Sequence, residues 1–169
     1  MADRADRSIV LASPDTPEAW DTARALCREY VDSLDTGIPI AGFDGELASM
    51  PQLFAPPQGL LLMAYVDGAL AGSGAFRRLP HLDQGFASEM KRVYVRPAYR
   101  GLGLGRRLVV ALMEAAAQAG CSSMYLDTME KLEAARALYA SLGFVEIPPY
   151  WANPLPKVHY FRAALAFRP

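Results

Sequence analysis

The chain has 169 residues and a mass of 18.4 kDa, enough for one core and too little for two. Apolar residues make up 52% and charged residues 21%, which excludes a compositionally disordered chain. The formal charge of -1 argues against a general nucleic-acid binder, and the longest apolar run, Leu60 to Val66, is far short of the ~20 residues of a membrane helix.

Ser8 to Ala12 reads as a strand, ended by the turn-rich SPDTP. Asp15 or Thr16 would cap the next helix, with Pro17 in its first turn. From Glu18 to Ser33 the apolar positions Trp20, Ala23, Cys27, Tyr30 and Val31 recur at helical spacing. Thr36 to Asp44 is a glycine- and proline-rich loop, and Asp44 to Met50 is expected to form a short helix stopped by Pro51. Phe54 to Gly59 is a connector. Leu60 to Val66 and Leu70 to Arg77 flank Asp67-Gly68, a hairpin signal. Met90 to Val95 reads as a strand, Leu104 to Ala119 as an amphipathic helix stopped by Gly120, and Met124 to Asp127 as a short strand. Leu132 to Leu142 reads as a helix ended by Gly143. Phe144 to Ile147 and Val158 to Leu165 are the last strands, separated by the proline-rich loop PPYWANPLP.

Charge is unevenly spread. Residues 1–90 hold 6 basic and 13 acidic side chains, and residues 91–169 hold 11 basic and 5 acidic. Either the two halves meet ligands of opposite charge, or they are solvated faces of unlike sign.

The most informative stretch is Val93 to Leu108, VYVRPAYRGLGLGRRL. A strand leads into Gly101, Gly103 and Gly105, and a helix follows. Glycines there admit positive φ and let a ligand approach the backbone. The free N–H groups of the helix's first turn, with its dipole, favour phosphate or pyrophosphate. Arg100, Arg106 and Arg107 add full charges. A phosphate-binding P-loop fails, because Arg106-Arg107 stand where Lys-Ser/Thr is required. A dinucleotide fingerprint needs GxGxxG and meets GxGxG, and too few elements follow to build a doubly wound sheet, although Asp127 stands where a ribose-binding acid would.

Arg100-x-x-Gly103-x-Gly105 resembles the R/Q-x-x-G-x-G/A signature of the GNAT N-acetyltransferase superfamily. Ala135 to Phe144 (ARALYASLGF) resembles that superfamily's A-x-x-L-Y-x-x-x-G-F segment. The chain also resembles a bacterial subgroup marked by Glu89-Met-Lys-Arg, Leu126-Asp-Thr, and Tyr150 with Asn153-Pro154.

The resemblance implies a single N-acetyltransferase domain over residues 1–169, with its core at about 8–165. Its fold would be α+β in α/β/α layers. A central mixed, mostly antiparallel sheet of about 6–7 strands would be flanked by about 4 helices, with one splayed pair of parallel strands. It implies acetyl-CoA as co-substrate, no metal, and direct transfer of an acetyl group to a primary amine of a small molecule or amino acid. The pyrophosphate would rest on the backbone of Arg100, Gly101, Leu102, Gly103, Leu104, Gly105 and Arg106. The pantetheine arm would pair with Val93, Tyr94 and Val95, and Ala135 would also touch the cofactor. Many relatives carry Asn where this chain has Leu132, so the resemblance implies either a missing side-chain contact to the cofactor or backbone contacts in its place. The alternative is a non-catalytic acyl-CoA-binding or regulatory module of the same fold.

Glu89 is the candidate general base, acting directly or through water; the competing reading pairs it with Lys91 or Arg92. Tyr139 is the candidate general acid, matching the family tyrosine near the CoA sulfur; the competing reading is a core aromatic beside Leu138 and Leu142. The oxyanion would meet a strand N–H near Tyr94. Asp32 and Asp44 are candidate acceptor contacts for an amine, and Tyr150, Asn153 and Trp151 either wall the acceptor pocket or plug it. A carboxylated acceptor reached through Arg77 or Arg78 stays open. Cys27 and Cys121 read as structural rather than nucleophilic. His81 and His159 have no second ligand at metal spacing. The expected partners are acetyl-CoA and a small acceptor, with neither nucleic acid nor membrane, and a homodimer stays open. The acidic, run-free N-terminus and the absence of a CxxC pair point to the cytoplasm.

Overall fold

A computed structural model describes residues 7–166. Seven strands form one sheet in the order β1-β2-β3-β4-β5-β7-β6. They are β1 (Ile9–Ala12), β2 (Gly59–Val66), β3 (Ala69–Leu79), β4 (Ala87–Val95), β5 (Ser123–Met129), β6 (Val145–Ile147) and β7 (Val158–Ala164). Every pairing is antiparallel except β4 with β5. The helices are α1 (Pro17–Leu34), α2 (Phe43–Ala48), α3 (Met50–Leu53), α4 (Leu104–Gln118) and α5 (Glu133–Ser141). Short 3-10 turns span Asp83–Gly85 and Pro97–Tyr99. The architecture is the α+β one that the resemblance implied, with a mixed sheet between helical layers.

Local chemistry explains most boundaries. The Thr16 hydroxyl accepts from the Ala19 amide and caps α1. Asp67 and Gly68 both take positive φ, 51° and 82°, so β2 turns tightly into β3 with Val66 opposite Ala69. The short helix expected over Asp44–Met50 is instead two. Pro51 does not stop a helix; it sits in the first turn of α3, where its missing N–H has no helical partner to lose. β3 runs on to Leu79 and β4 begins at Ala87, three residues before the expected start. The sheet pairs Leu79 with Ala87, and Ser88 donates to the Ser123 carbonyl at 2.8 Å.

The apolar run in β2 is continuous because helices cover both faces of the sheet. Leu62 and Ala64 pack with Leu108, Leu112 and Ala116 of α4, and with Met124 and Phe161. Leu61 and Met63 point the other way, onto Ala23 and Cys27 of α1, Leu47, Met50 and Phe54. Cys27 and Cys121 are buried free thiols, and burial pushes Cys27 up to about 12, so it stays protonated. No helix among the described residues is long and apolar enough to cross a membrane.

Candidate active site

The site begins with a break in regular pairing. β4 pairs with β5 only from Ala87 to Glu89, opposite Ser123 to Tyr125. Beyond that point the two parallel strands part. The cause lies on the other edge of β4. Ser73 opposes Tyr94 and Ala75 opposes Lys91, so the single residue Gly74 faces both Arg92 and Val93. This is a bulge with one extra residue on β4, and bulges bend the strand that carries them. Arg92 takes a φ of 59°, costly for a residue with a Cβ. Its guanidinium is held in compensation. It donates to both carboxylate oxygens of Glu46, at 2.5 Å from Nη2 to Oε2, and lies 5.0 Å over the Phe43 ring. Burial opposes the charge on Arg92, but the bonds and charge of Glu46 outweigh it and raise its pKa.

Parting of the strands opens a cavity of about 720 Å³. One wall is the edge of β4, including Val93, Tyr94 and Val95, and the facing wall is Leu126, Asp127, Thr128 and Met129 of β5. Its mouth is formed by Arg100, Gly101, Gly103, Leu104, Gly105 and Arg106. Gly103 is the N-cap of α4, with φ 77° and ψ 14°, and no side chain caps that helix. The first intrahelical bond to Gly103 comes from the Arg107 amide, so the amides of Leu104, Gly105 and Arg106 precede the helical ladder and face outward. A Cβ on Gly103 would meet no atom within 4 Å, so the glycine answers the left-handed backbone and keeps the mouth open. An uncapped, glycine-led helix start on a long cleft suits a pyrophosphate with an extended arm.

Of the expected cofactor contacts, all but Leu102 line this cavity, Ala135 included. Leu102 packs its side chain with Val66, Ala71 and Leu104, because the turn directs it to the core. Arg100 Nε donates to the Val95 carbonyl at 3.1 Å, and Arg106 Nη2 to Ser141 at 2.7 Å, tying α4 to α5. Arg107 is exposed.

Tyr139 lines the cavity and is 7% exposed, with its ring edge-on to Phe144 at 5.7 Å. Burial, then the charges of Tyr30 and Asp127, push its pKa above the ordinary tyrosine value. The Tyr139 hydroxyl is therefore neutral near pH 7. Packing on Phe144 leaves the residue on the cavity wall, where both readings of it placed it.

Glu89 lies outside this cavity, in a second one of about 420 Å³. It is 5% exposed and well occupied. Arg77 reaches its Oε1 through Nε and Nη2, both at 3.1 Å. Lys91 Nζ is 3.7 Å from the same oxygen, and the Tyr150 hydroxyl donates to Oε2 at 2.7 Å. Burial and then the Glu89 charge raise the pKa of Tyr150, which stays the donor in this bond. The ion pair foreseen as the competing reading for Glu89 is present, with Arg77 and Lys91; Arg92 is committed to Glu46.

The carboxylate inside the main cleft is Asp127. Trp151 Nε1 donates to its Oδ2 at 2.7 Å and Asn153 Nδ2 to the same atom at 3.1 Å, while no described side chain bonds Oδ1. Its charge acts on Tyr139, Tyr30 and Tyr150, so it stands among three phenols. The sequence places it at the end of a short strand and within Leu126-Asp-Thr, without giving it a role in proton transfer. Tyr150 and Asn153 take their places as walls of the second and first cavities respectively. Asp32 and Asp44 line neither; both are exposed, on the outer sides of α1 and α2, because the inner sides are taken by Ala23, Cys27 and Leu47. Arg78 is spent on the carbonyls of Pro57 and Ala119. No cluster of metal-ligating residues occurs among those described.

Comparison with known proteins bears on this geometry. The model of the acetyltransferase (GNAT) family matches residues 19–144. An uncharacterised N-acetyltransferase of Schizosaccharomyces pombe is 35% identical over 159 residues, covering 94% of this chain and 96% of its own. One from Escherichia coli is 31% identical over 137 residues, covering 81% and 80%. The crystal structure of a Thermoplasma acidophilum N-acetyltransferase in complex with coenzyme A shares the fold, with a TM-score of 0.69 at 16% identity over 93% of this chain and 99% of that one. Splayed strands, a glycine-led helix and a matching family sequence over most of the chain agree, and the protein belongs to the GNAT family of acyltransferases.

Proposed function

We propose that the chain is an acetyl-CoA-dependent N-acetyltransferase acting on a primary amine of a small molecule or amino acid. The observation that carries this reading is the uncapped start of α4 opening onto the gap between β4 and β5. The outward amides of Leu104, Gly105 and Arg106 would hold the pyrophosphate, and the unpaired edge of β4 at Val93 to Val95 would hold the extended arm. Acetyl-CoA supplies an activated acetyl thioester when bound.

The chain's own residues handle the protons and the orientation. Attack by an amine requires loss of an N–H proton, and the carboxylate within the cleft is Asp127, whose Oδ1 has no described partner. Glu89, assigned this role from sequence, is held by Arg77, Lys91 and Tyr150, an arrangement that suits binding and positioning. Tyr139 keeps its proton at Oη and can give it to the departing sulfur. Leu126, Leu138 and Tyr139 give the cleft an apolar wall.

The test is release of free thiol from acetyl-CoA against a panel of primary amines and amino acids, beside calorimetric titration of coenzyme A. The expected outcome is binding together with acceptor-dependent thiol release. Binding with no release for any acceptor would leave the non-catalytic acyl-CoA-binding module instead.

A further inference from the structure

We propose that the acceptor carries a single carboxylate, bound by Lys91 with Arg77 in the smaller cavity, while its amine points to Asp127. This rests on the acetyltransferase reading above and names its substrate class.

The two cavities adjoin: Ala41, Lys91 and Trp151 line both. A molecule seated in the smaller one reaches the main cleft past Lys91. The charge balance there is uneven. Arg77 and Lys91 face one carboxylate, Glu89, and the other acid on the wall, Glu46, is spent on Arg92. One positive charge is left over. Lys91 is the less committed cation. Its Nζ stands 3.7 Å from Glu89 Oε1, beyond hydrogen-bond distance, and no described residue accepts a hydrogen bond from it. Its side chain is only 23% exposed, so water serves it poorly and an anion would serve it better.

The size of the excess selects the ligand. A carboxylate brings one negative charge and neutralises the pocket. A phosphate monoester brings about -1.5 to -2 near pH 7 and would leave the pocket negative. The loop after β6 supports the other end of the molecule. Its consecutive residues Tyr150 and Trp151 bond Glu89 and Asp127 respectively, so one short strap frames both cavities. An amine at Asp127 and a carboxylate at Lys91 describe an amino acid.

The experiment compares kcat/KM for an amino acid, its carboxamide and glucosamine 6-phosphate, in the unaltered enzyme and in Lys91→Met and Lys91→Arg. Calorimetry with the deaminated acid, which cannot react, reads binding separately. The acid should exceed its amide by ~30-fold, a gain typical of a hydrogen bond to a charged group. Lys91→Met should bring that ratio near unity and weaken the deaminated acid by a similar factor, and Lys91→Arg should retain most of both. Equal use of acid and amide, a ratio that survives Lys91→Met, or preference for the phosphate overturns the carboxylate site while leaving the acetyltransferase reading standing. If coenzyme A binds and neither these three acceptors nor any member of the wider panel of primary amines and amino acids is acetylated, the acetyltransferase reading fails and the carboxylate site with it.

Discussion

The indole of Trp151 donates to Asp127 Oδ2 at 2.7 Å, across 24 residues of sequence, and makes this β5 carboxylate a fixed part of the cleft wall. Asn153 donates to the same oxygen. Both donors come from the loop between β6 and β7, so that loop decides how Asp127 presents its other oxygen.

Asp127 and Glu89 therefore separate by mutation. Asp127→Asn should lower kcat by ~10²-fold or more, the usual size of a lost general base, with coenzyme A affinity changed only a few-fold. Glu89→Gln should act chiefly on the KM of the acceptor, because it disturbs Arg77 and Lys91 rather than the proton path. Steady-state kinetics with the acceptor varied reads both. A loss of kcat in Glu89→Gln and none in Asp127→Asn would return the base role to Glu89.

Tyr139→Phe removes the hydroxyl while keeping the ring that packs on Phe144. Its melting temperature should stay within a few degrees. Its kcat should fall by ~10²-fold if the hydroxyl supplies a proton. A full-rate Phe variant would leave Tyr139 as packing alone.

The bulge depends on a buried ion pair. Glu46 and Arg92 side chains are 10% and 13% exposed. Glu46→Gln leaves the guanidinium unbalanced, a change that typically costs about 3–5 kcal/mol. In a chain of this length that corresponds to a drop of roughly 6–20 °C in Tm. Calorimetric melting measures it. Acceptor turnover should fall as well, since Arg92 holds the positive φ from which the cleft opens.

Asp83 gives a pH signature. Ser123 donates to it at 2.5 Å and, against the opposing effect of burial, holds its carboxyl below the ordinary value, with Arg162 and Tyr125 adding to the shift. A group depressed in the folded state stabilises above its unfolded pKa, and that stability is lost as pH falls through the folded value. Asp83 sits at φ 46°, which Asn tolerates, so Asp83→Asn changes the charge and little of the backbone. The Tm difference between parent and variant should be widest above about pH 5 and close as pH falls through the depressed folded pKa of Asp83. A difference independent of pH would show that the carboxylate charge is not what stabilises this corner.

Features that depend on neighbours in the chain are legible in the residues alone. Glycine spacing marked the positive-φ turn before α4, Thr16 marked a cap, Asp67-Gly68 marked a hairpin, and apolar period marked the strands and helices. These are legible because backbone sterics and local hydrogen bonds act over a few residues. Pro51 is ambiguous in the sequence because a proline that ends one helix and a proline that starts another have the same identity and differ only in where the preceding helix stops.

Which partners each acid meets was set by contacts between distant segments. Glu89 looked available at the head of its strand, yet Tyr150, 61 residues later, and Arg77 on the neighbouring strand occupy it. Asp32 and Asp44 had the right charge and face solvent. Asp127 sat in a family-like Leu126-Asp-Thr run that named no role for it, and it lies in the cleft because a one-residue bulge on β4 turns that strand away from β5. A carboxylate's role follows from its partners and its solvent, and both are set by contacts between segments distant in the chain.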